Sequence, residues 1–596
     1  MPQSPHTDSD AVVRLTVKSN GVAIAETMQV VSVAVTRAVN AIPSARLILL
    51  DGDVGTGDFA VSDDDVFKPG AKIAISAGYG EKEEEIFKGI VVKHALKITG
   101  DNYARLVIEC RDEAVKMTIG RKNANFIDKK DSDIIAKLAG DHSLGTDIDA
   151  TSEQHKELAQ YCCTDWDFAL ARAEVNGLLV VVTDGRFTAK RPQTDGEAAL
   201  TVSYGEDLLE FHAEIDARTQ LGSVTSVAWD PKTQAAVTSN AERPAKLNDQ
   251  GDLTSAALAA VAGPATYVIR TSTPLDKAAL DTWAKAQQTK AGLARVRGRM
   301  KFQGSALAKV GELIELGKVG NRFNGKVFVT AVHHDISDGN WLTEVEFGHA
   351  PEWLVERPDV QAPAVSGWLP GVGGLQIGVV KKLDGDPKGE NRIQVSVPVA
   401  QAAQDTLWAR LANFHGSKTF GAFFIPEIGD EVVLGYLNED PAHPVILGSL
   451  YSSNRTPPYP LTAQNNTKAI VTRCQAKIEF DDDKKIITIQ TPANNKVVLS
   501  DDGKSILLQD QNNNKVELNP GGIVLDSPKD IKISAKGTIS LDAVGAISIS
   551  SKADVKSTGL NVSCEAQAGF TAKGTATAEL SASGQTVVKG AMVMIN

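Results

Sequence analysis

The stretch ISLDAVGAISISSKADVKSTGLNV, residues 539–562, holds no His, Trp or Tyr, and its only acids are Asp542 and Asp554. It carries a rhythm instead. Ile523, Ile531, Ile539, Ile547 and Val555 recur at intervals of eight, and the positions two residues on read Leu525, Ile533, Leu541, Ile549 and Ser557. Beyond about residue 562 the phase slips and the side chains shrink to Ala, Thr, Ser and Gly, with Phe570 the only aromatic. A short fixed period of this kind marks a stacked β repeat.

Each unit offers two apolar side chains, worth roughly 1.5–3 kcal/mol apiece when fully buried. Ordering the backbone costs roughly 1–2 kcal/mol per residue. A lone copy therefore cannot support itself. A single-chain β-helix needs about twenty residues per coil to build three walls from strands of ordinary length. Eight residues supply one wall and a corner. Three chains, each giving one wall of a narrow prism, solve the problem by bringing small side chains together on a threefold axis. They also remove the strand edges that invite aggregation. The expected needle core is Ile523, Leu525, Ile531, Ile533, Ile539, Leu541, Ile547, Ile549 and Val555. A disordered tail is the alternative, opposed by regular β-branched residues over about seventy positions.

The whole chain is too long for one core: 596 residues suggest about three or four domains. Aromatic content is only 5% and Gly is frequent, which favours strands and turns. A net charge of −12 argues against nucleic acid and against docking on anionic lipid. The five cysteines (Cys110, Cys162, Cys163, Cys474 and Cys564) are odd in number and form no CxxC, as expected for a chain made in a reducing compartment. Cys162 and Cys163 are expected on opposite faces of a strand, a poor arrangement for zinc. The N-terminus lacks the basic and apolar regions of a signal peptide, and no run of about 18 apolar residues could span a membrane. The expectation is synthesis in the cytoplasm and export by some route other than general secretion.

Along the first third, 30–52 and 72–98 alternate apolar and polar residues as half-buried antiparallel strands do. The spacing predicts a helix within 128–144 capped by Asp131 or Ser132, and another from Thr164 or Asp165 to Gly177 that carries Trp166, Phe168 and Leu170. A further helix is expected over 274–300 with Pro274 in its first turn, after a turn-rich, Ala-rich stretch at 240–270. Strands resume at 309–317, 325–337 and 341–349. A Pro- and Gly-rich linker at 357–374 leads into five short strands over 375–451, the pattern of an OB-type barrel, and 452–460 is a Pro-rich exit. The short strands KIEF, ITIQ, KVVLS, SILLQ and KVELN then follow about ten residues apart.

At this point the chain resembles the VgrG family, the trimeric spike proteins of contractile injection systems, and the hub and spike proteins of contractile phage tails. The resemblance covers nearly the whole length. It is carried in the hub by PGAKIAISAGY, QYCCTDWDFALARAEVNGLLV and FNGKVFVTAVHHDISDGNWLTEVEFGH, and in the barrel by GVVKKLDGDPKGENRIQVSVP and IPEIGDEVVLGYLNEDPAHPVILGSLY. The wording VVSVAVTRAVNAIPSARLILLDGD is closer to spikes of extracellular phage-tail-like particles or unusual type VI systems. The resemblance implies a mainly β chain with three parts: a hub of β-barrel-like modules with a few helices over 1–360, a linker and OB-fold barrel over 361–465, and a trimeric β-helical needle over 466–596. It implies a homotrimer that links an inner tube and baseplate to a tip and pierces an envelope, released or exported with its particle. The implied partners are Hcp-like tube and baseplate proteins at the hub, a PAAR-type tip protein and effector cargo. Val587, Val588, Met592, Val593, Met594 and Ile595 form an apolar end expected to bind the tip protein. No lysozyme domain fits between barrel and needle, and the chain reads as a bare spike.

Sharper chemistry finds little support. GNRFNGKV (320–327) is nearly a P-loop, but Val327 replaces the Mg²⁺-binding hydroxyl and a strand follows, so a hairpin turn is expected. His333 and His334, as strand neighbours, face opposite ways and cannot chelate one ion. His415 and His443 lie near barrel loops without a matched acid or nucleophile and are expected to be structural, and the DGD triplets at 51–53 and 384–386 lack EF-hand spacing. Neither a cofactor nor a catalytic residue is expected. The rival reading is a tailspike-like polysaccharide depolymerase, which needs paired carboxylates in a groove. The needle offers Asp526, Asp530, Asp542, Asp554, Glu565 and Glu579 scattered singly.

Overall fold

The computed structural model describes residues 3–5, 12–100, 103–402 and 406–595. The chain divides into two compact units, Met1–Leu450 and Tyr451–Asn596. It is mainly β, as its alternating stretches require.

The first unit is organised by a 13-stranded sheet. At its centre Gly325–Ser337 runs antiparallel to Val30–Ala38, with His333 opposite Thr36 and His334 opposite Val35. On one side the sheet continues through Ser44–Leu50, Ala104–Arg111, Lys82–Ile98, Lys72–Tyr79 and Val13–Ser19. Its inward positions, among them Val33, Leu47, Ile73, Phe87 and Ile108, form one core. On the other side lie Asn340–Phe347, Val296–Gln303 and Leu208–Ile215, which curl around Leu200, Met300, Phe302, Ile314 and Phe347. Two β modules thus share one continuous sheet.

Close packing at the seam is visible at Gly304. A Cβ there would fall 2.1 Å from the Trp341 ring. Trp341 stacks on Tyr79 at 5.5 Å and donates its Nε1 proton to Nδ1 of His334 at 3.3 Å. Burial pushes the His334 imidazole down to about 3, so it stays neutral and accepts that bond. Gly304→Ala is expected to destabilise the first unit by about 1–3 kcal/mol through overpacking, read as a lower urea midpoint with an unchanged slope.

A helical module is inserted between the two β modules. The helix Asp165–Val175 begins where the sequence places it, with Thr164 Oγ1 accepting the Asp167 N–H at 3.0 Å. The helix Asp131–Asp141 differs in its cap. Asp131 is not a cap but the first helical residue, buried and clamped by Arg172 at 2.7 and 2.9 Å. Thr151 Oγ1 accepts the orphan Ser132 N–H at 3.0 Å. The helix expected over 274–300 is shorter, Lys277–Leu293, capped by Asp276 and leaving Pro274 outside. Residues beyond Val296 join the sheet instead, because tertiary pairing overrides helix propensity. Inside 240–270 lie the short helix Ser255–Ala262 and part of the strand Tyr267–Thr271.

The segment that leads out of the hub is strapped down. Lys290 and Glu174 form a buried ion pair, with the Trp353 ring 5.1 Å from the ammonium. The Leu354 N–H donates to Glu174 at 2.9 Å, and Arg121 donates to the carbonyls of Cys162, Asp359 and Val360. Beyond it five strands, Gln376–Lys382, Ile393–Ser396, Thr406–Leu411, Glu431–Tyr436 and Pro444–Ser449, close a barrel around Val380, Val395, Ala409, Leu434 and Ile446. Within FGAFFIPEIGDEVVLGYL (420–437) the strand is confined to Glu431–Tyr436. Residues 412–430 are an arm outside the barrel wall.

In the second unit seven strands, from Thr467–Val471 to Gly522–Asp526, form an antiparallel meander in chain order. Asn494 and Asn513 take positive φ at their turns, the left-handed conformation asparagine tolerates best among side-chain-bearing residues.

Candidate trimerisation and tip surface

Period-2 alternation puts most of the meander's apolar side chains on one face, with Ile486, Val498, Leu507 and Val524 on the other. Register then aligns them into two ladders. One runs Ile478, Ile489, Val497, Leu508, Val516, Leu525, and the other runs Phe480, Ile487, Leu499, Ile506, Leu518, Ile523. Neither ladder is covered by the rest of the chain: Ile489 is 46% exposed and Leu508 47%. A groove of about 650 Å³ lies over this face, lined by Ile489, Val497, Leu508, Val516, Leu525 and Ile531. The opposite face is polar in part, with Glu479 held below the usual carboxylate range by Lys477 and Tyr459.

Sequence reading placed the core only from Ile523 onward and missed these ladders. Their signal was present in the paired apolar residues of KIEF, ITIQ and SILLQ, which share a face only once the hairpin register is known.

Past Asp526 the described residues make no strand pairing within the chain. It is extended with bends at 528–529, 536–537, 544–545, 552–553, 560, 567–568, 575–576, 583–584 and 591–592. The spacing of eight therefore persists almost to the end, interrupted by a single seven-residue step between 553 and 560. The residue two past each bend is Ile531, Ile539, Ile547, Val555, Val562, Phe570, Ala578, Thr586 and Met594. Val562 and Phe570 thus join the row, which the sequence alone appeared to break because a one-residue deletion shifts every later position. Val544 and Leu560 sit on the bends themselves and are fully exposed. Ile539, Leu541, Ile547 and Ile549 are exposed in the isolated chain, as are Ile523, Ile533 and Val555. Val587, Val588, Met592, Val593, Met594 and Ile595, the residues expected to bind a tip protein, are exposed as well.

The other singled-out residues take ordinary roles. His334 is buried against Thr343 and Trp341, while His333 contacts Thr36 and Glu346. His443 does have an acid, Asp440 Oδ2 at 2.8 Å, within a barrel turn. A bulge between Gln160 and Cys163, with Cys162 at φ +45°, breaks the strict alternation expected of the two cysteines. Residues 320–324 are a turn joining Leu313–Gly317 to Gly325–Ser337. Asp51 caps its own loop, accepting the N–H groups of Val61 and Ser62. Among the described residues no cluster of His, Cys, Asp and Glu could hold a metal ion, and no helix is long and apolar enough to cross a membrane.

Three family models match parts of the chain. Residues 9–338 match the family described as the Alg8 N-terminal domain. Residues 376–451 match the type VI secretion system/phage-baseplate injector OB domain, and 486–596 the phage baseplate V C-terminal trimerisation domain. The type VI secretion system spike protein VgrG5 of Pseudomonas aeruginosa is 34% identical over 121 residues, 19% of this chain and 15% of that protein. The actin cross-linking toxin VgrG1 of Vibrio cholerae is 37% identical over 68 residues, 11% of this chain and 6% of that one. The chain spans 15% or less of the curated relatives it matches. Among solved structures, the 43 kDa tail protein of prophage MuSo2 from Shewanella oneidensis gives a TM-score of 0.44 at 10% identity, covering 57% of this chain and 98% of that one. The c3393 protein of E. coli, a type VI secretion component, gives 0.39 at 12%, covering 73% and 99%. None of these similarities favours the polysaccharide-cleaving alternative.

Proposed function

For a chain that belongs to the Alg8 N-terminal domain family and carries the injector OB and trimerisation domains of VgrG-type spikes, we propose the role of homotrimeric central spike in a contractile injection system. The spike works mechanically, without catalysis. The observation that carries this reading is the second unit: two uncovered apolar ladders followed by residues 527–595 without strand pairing inside the chain. Backbone N–H and C=O groups and apolar rows left open in one chain find their partners in two copies. A stiff three-walled needle results, suited to concentrating force on a small area of envelope.

The proposed domains are a hub over 1–360 that meets an Hcp-like tube and baseplate, a barrel collar over 361–465, and a needle over 466–596. The proposed needle core is Ile523, Leu525, Ile531, Ile533, Ile539, Leu541, Ile547, Ile549 and Val555. The apolar end, Val587 to Ile595, seats a PAAR-type tip protein, and effector cargo travels with the spike. Deleting 587–596 is expected to abolish capture of the tip protein in a pull-down while the native mass stays trimeric. A deletion variant that still captures it would refute the tip assignment.

A further inference from the structure

The barrel carries an arm whose phenylalanines stay largely exposed among the described residues. Residues 412–430 connect Thr406–Leu411 to Glu431–Tyr436 without forming a strand. Asn413 Nδ2 donates to the Ala422 carbonyl at 2.6 Å, the Ala422 N–H to the His415 carbonyl at 2.9 Å, and the Ser417 N–H to the Phe420 carbonyl at 3.0 Å. His415 and Phe420 meet edge to face at 5.9 Å, and Ile425 anchors the arm to the barrel core. Yet Phe414 is 85% exposed and Phe423 87%, with Phe420, Phe424 and Ile428 also exposed. Such a cluster on a folded surface marks an interaction site.

A second uncovered apolar patch lies on the outer wall of the same barrel. Leu375 and Leu447 flank Gly435, where a Cβ would fall 3.8 and 3.2 Å from their methyl groups. Ile377, two residues from Leu375 and so on the same face, extends the patch, and all three are exposed.

We propose that the arm of one copy packs on the Leu375–Ile377–Leu447 patch of the next, closing a ring of three barrels. The inference rests on the trimeric spike reading. Two different patches on one subunit define a heterologous contact, and a heterologous contact closes when it repeats around a threefold axis. The trimerisation domain over 486–596 holds the three barrels at high effective concentration, so the occupant of the patch is a second copy of this chain.

The test uses the full-length chain, its native mass and chymotrypsin, which cuts after the arm phenylalanines. The wild-type protein is expected to run as a trimer with the arm resistant to cleavage. Leu447→Glu, and independently Leu375→Lys, are expected to remain trimeric through the needle while the arm is cut about tenfold faster, as the population of undocked arm rises. A wild-type trimer whose arm is cut as fast as in both variants overturns the inference and leaves the trimeric spike standing. So does an arm protected only after another protein is added. A monomeric wild-type mass overturns both.

Discussion

Ile539→Asp and Ile547→Asp, each alone, are expected to reduce the native mass from that of a trimer toward 63.3 kDa, with loss of the needle's β signal in circular dichroism. Both residues belong to the first apolar row of the repeat, two residues past a bend. In a three-walled prism each substitution brings three carboxylates to one level of the axis. Burying an unpaired charge costs several kcal/mol per ion, and the three also repel one another. The few apolar contacts at that level, roughly 1.5–3 kcal/mol per side chain, cannot offset this. Val544→Asp is the control. Val544 sits on a bend with its side chain fully in solvent, so that variant should keep the wild-type mass and melting temperature. If Ile539→Asp and Ile547→Asp both keep them too, these residues are not core.

Arg172→Ala is expected to destabilise the helical module of the hub by about 3–5 kcal/mol, because it strands a buried carboxylate without its cation. Asp131 is 1% exposed. Burial pushes its pKa up, but hydrogen bonds and charge from Arg172, with further bonds from Asn176 and His155, outweigh burial and hold the group below the usual carboxylate range. A depressed folded pKa contributes stability that is present above the unfolded value and lost as pH falls through the folded one. The wild-type module should therefore weaken as pH drops below about 4. In Arg172→Ala burial dominates, the folded pKa lies above the unfolded one, and acidification partly restores stability. Urea titrations at a series of pH values should show slopes of opposite sign for this contribution. Parallel acid limbs in the two proteins would mean that the pair adds nothing to the pH dependence.

What was legible in the sequence follows physical lines. Local periodicity showed the hub strands, the helix beginning at Thr164 and the five barrel strands, because each rests on alternation or a cap within a few residues. Of the stretch FGAFFIPEIGDEVVLGYL only Glu431–Tyr436 is strand, and the aromatic residues before it, which also suit a strand, lie in the exposed arm. The 274–300 helix ended early because Val296–Gln303 gains more by pairing with Leu208–Ile215 and Asn340–Phe347. Nothing local signals that gain. Asp131 or Ser132 read as the cap, since a short polar residue before an apolar run usually is one; Asp131 is instead buried inside the first turn. Its partner Arg172 is 41 residues away and invisible to spacing. In the needle the octad row was plain while its side chains were large. It became unreadable where the seven-residue step between 553 and 560 coincided with a change to Ala and Thr. The bends of the backbone recover it.

The most direct measurement is the native mass of the full-length protein by light scattering, repeated on dilution and in mild detergent. The account predicts about three times 63.3 kDa under each condition, since three chains that complete one another's walls cannot part without exposing both ladders and the whole octad row. A stable, soluble species at 63.3 kDa would contradict it.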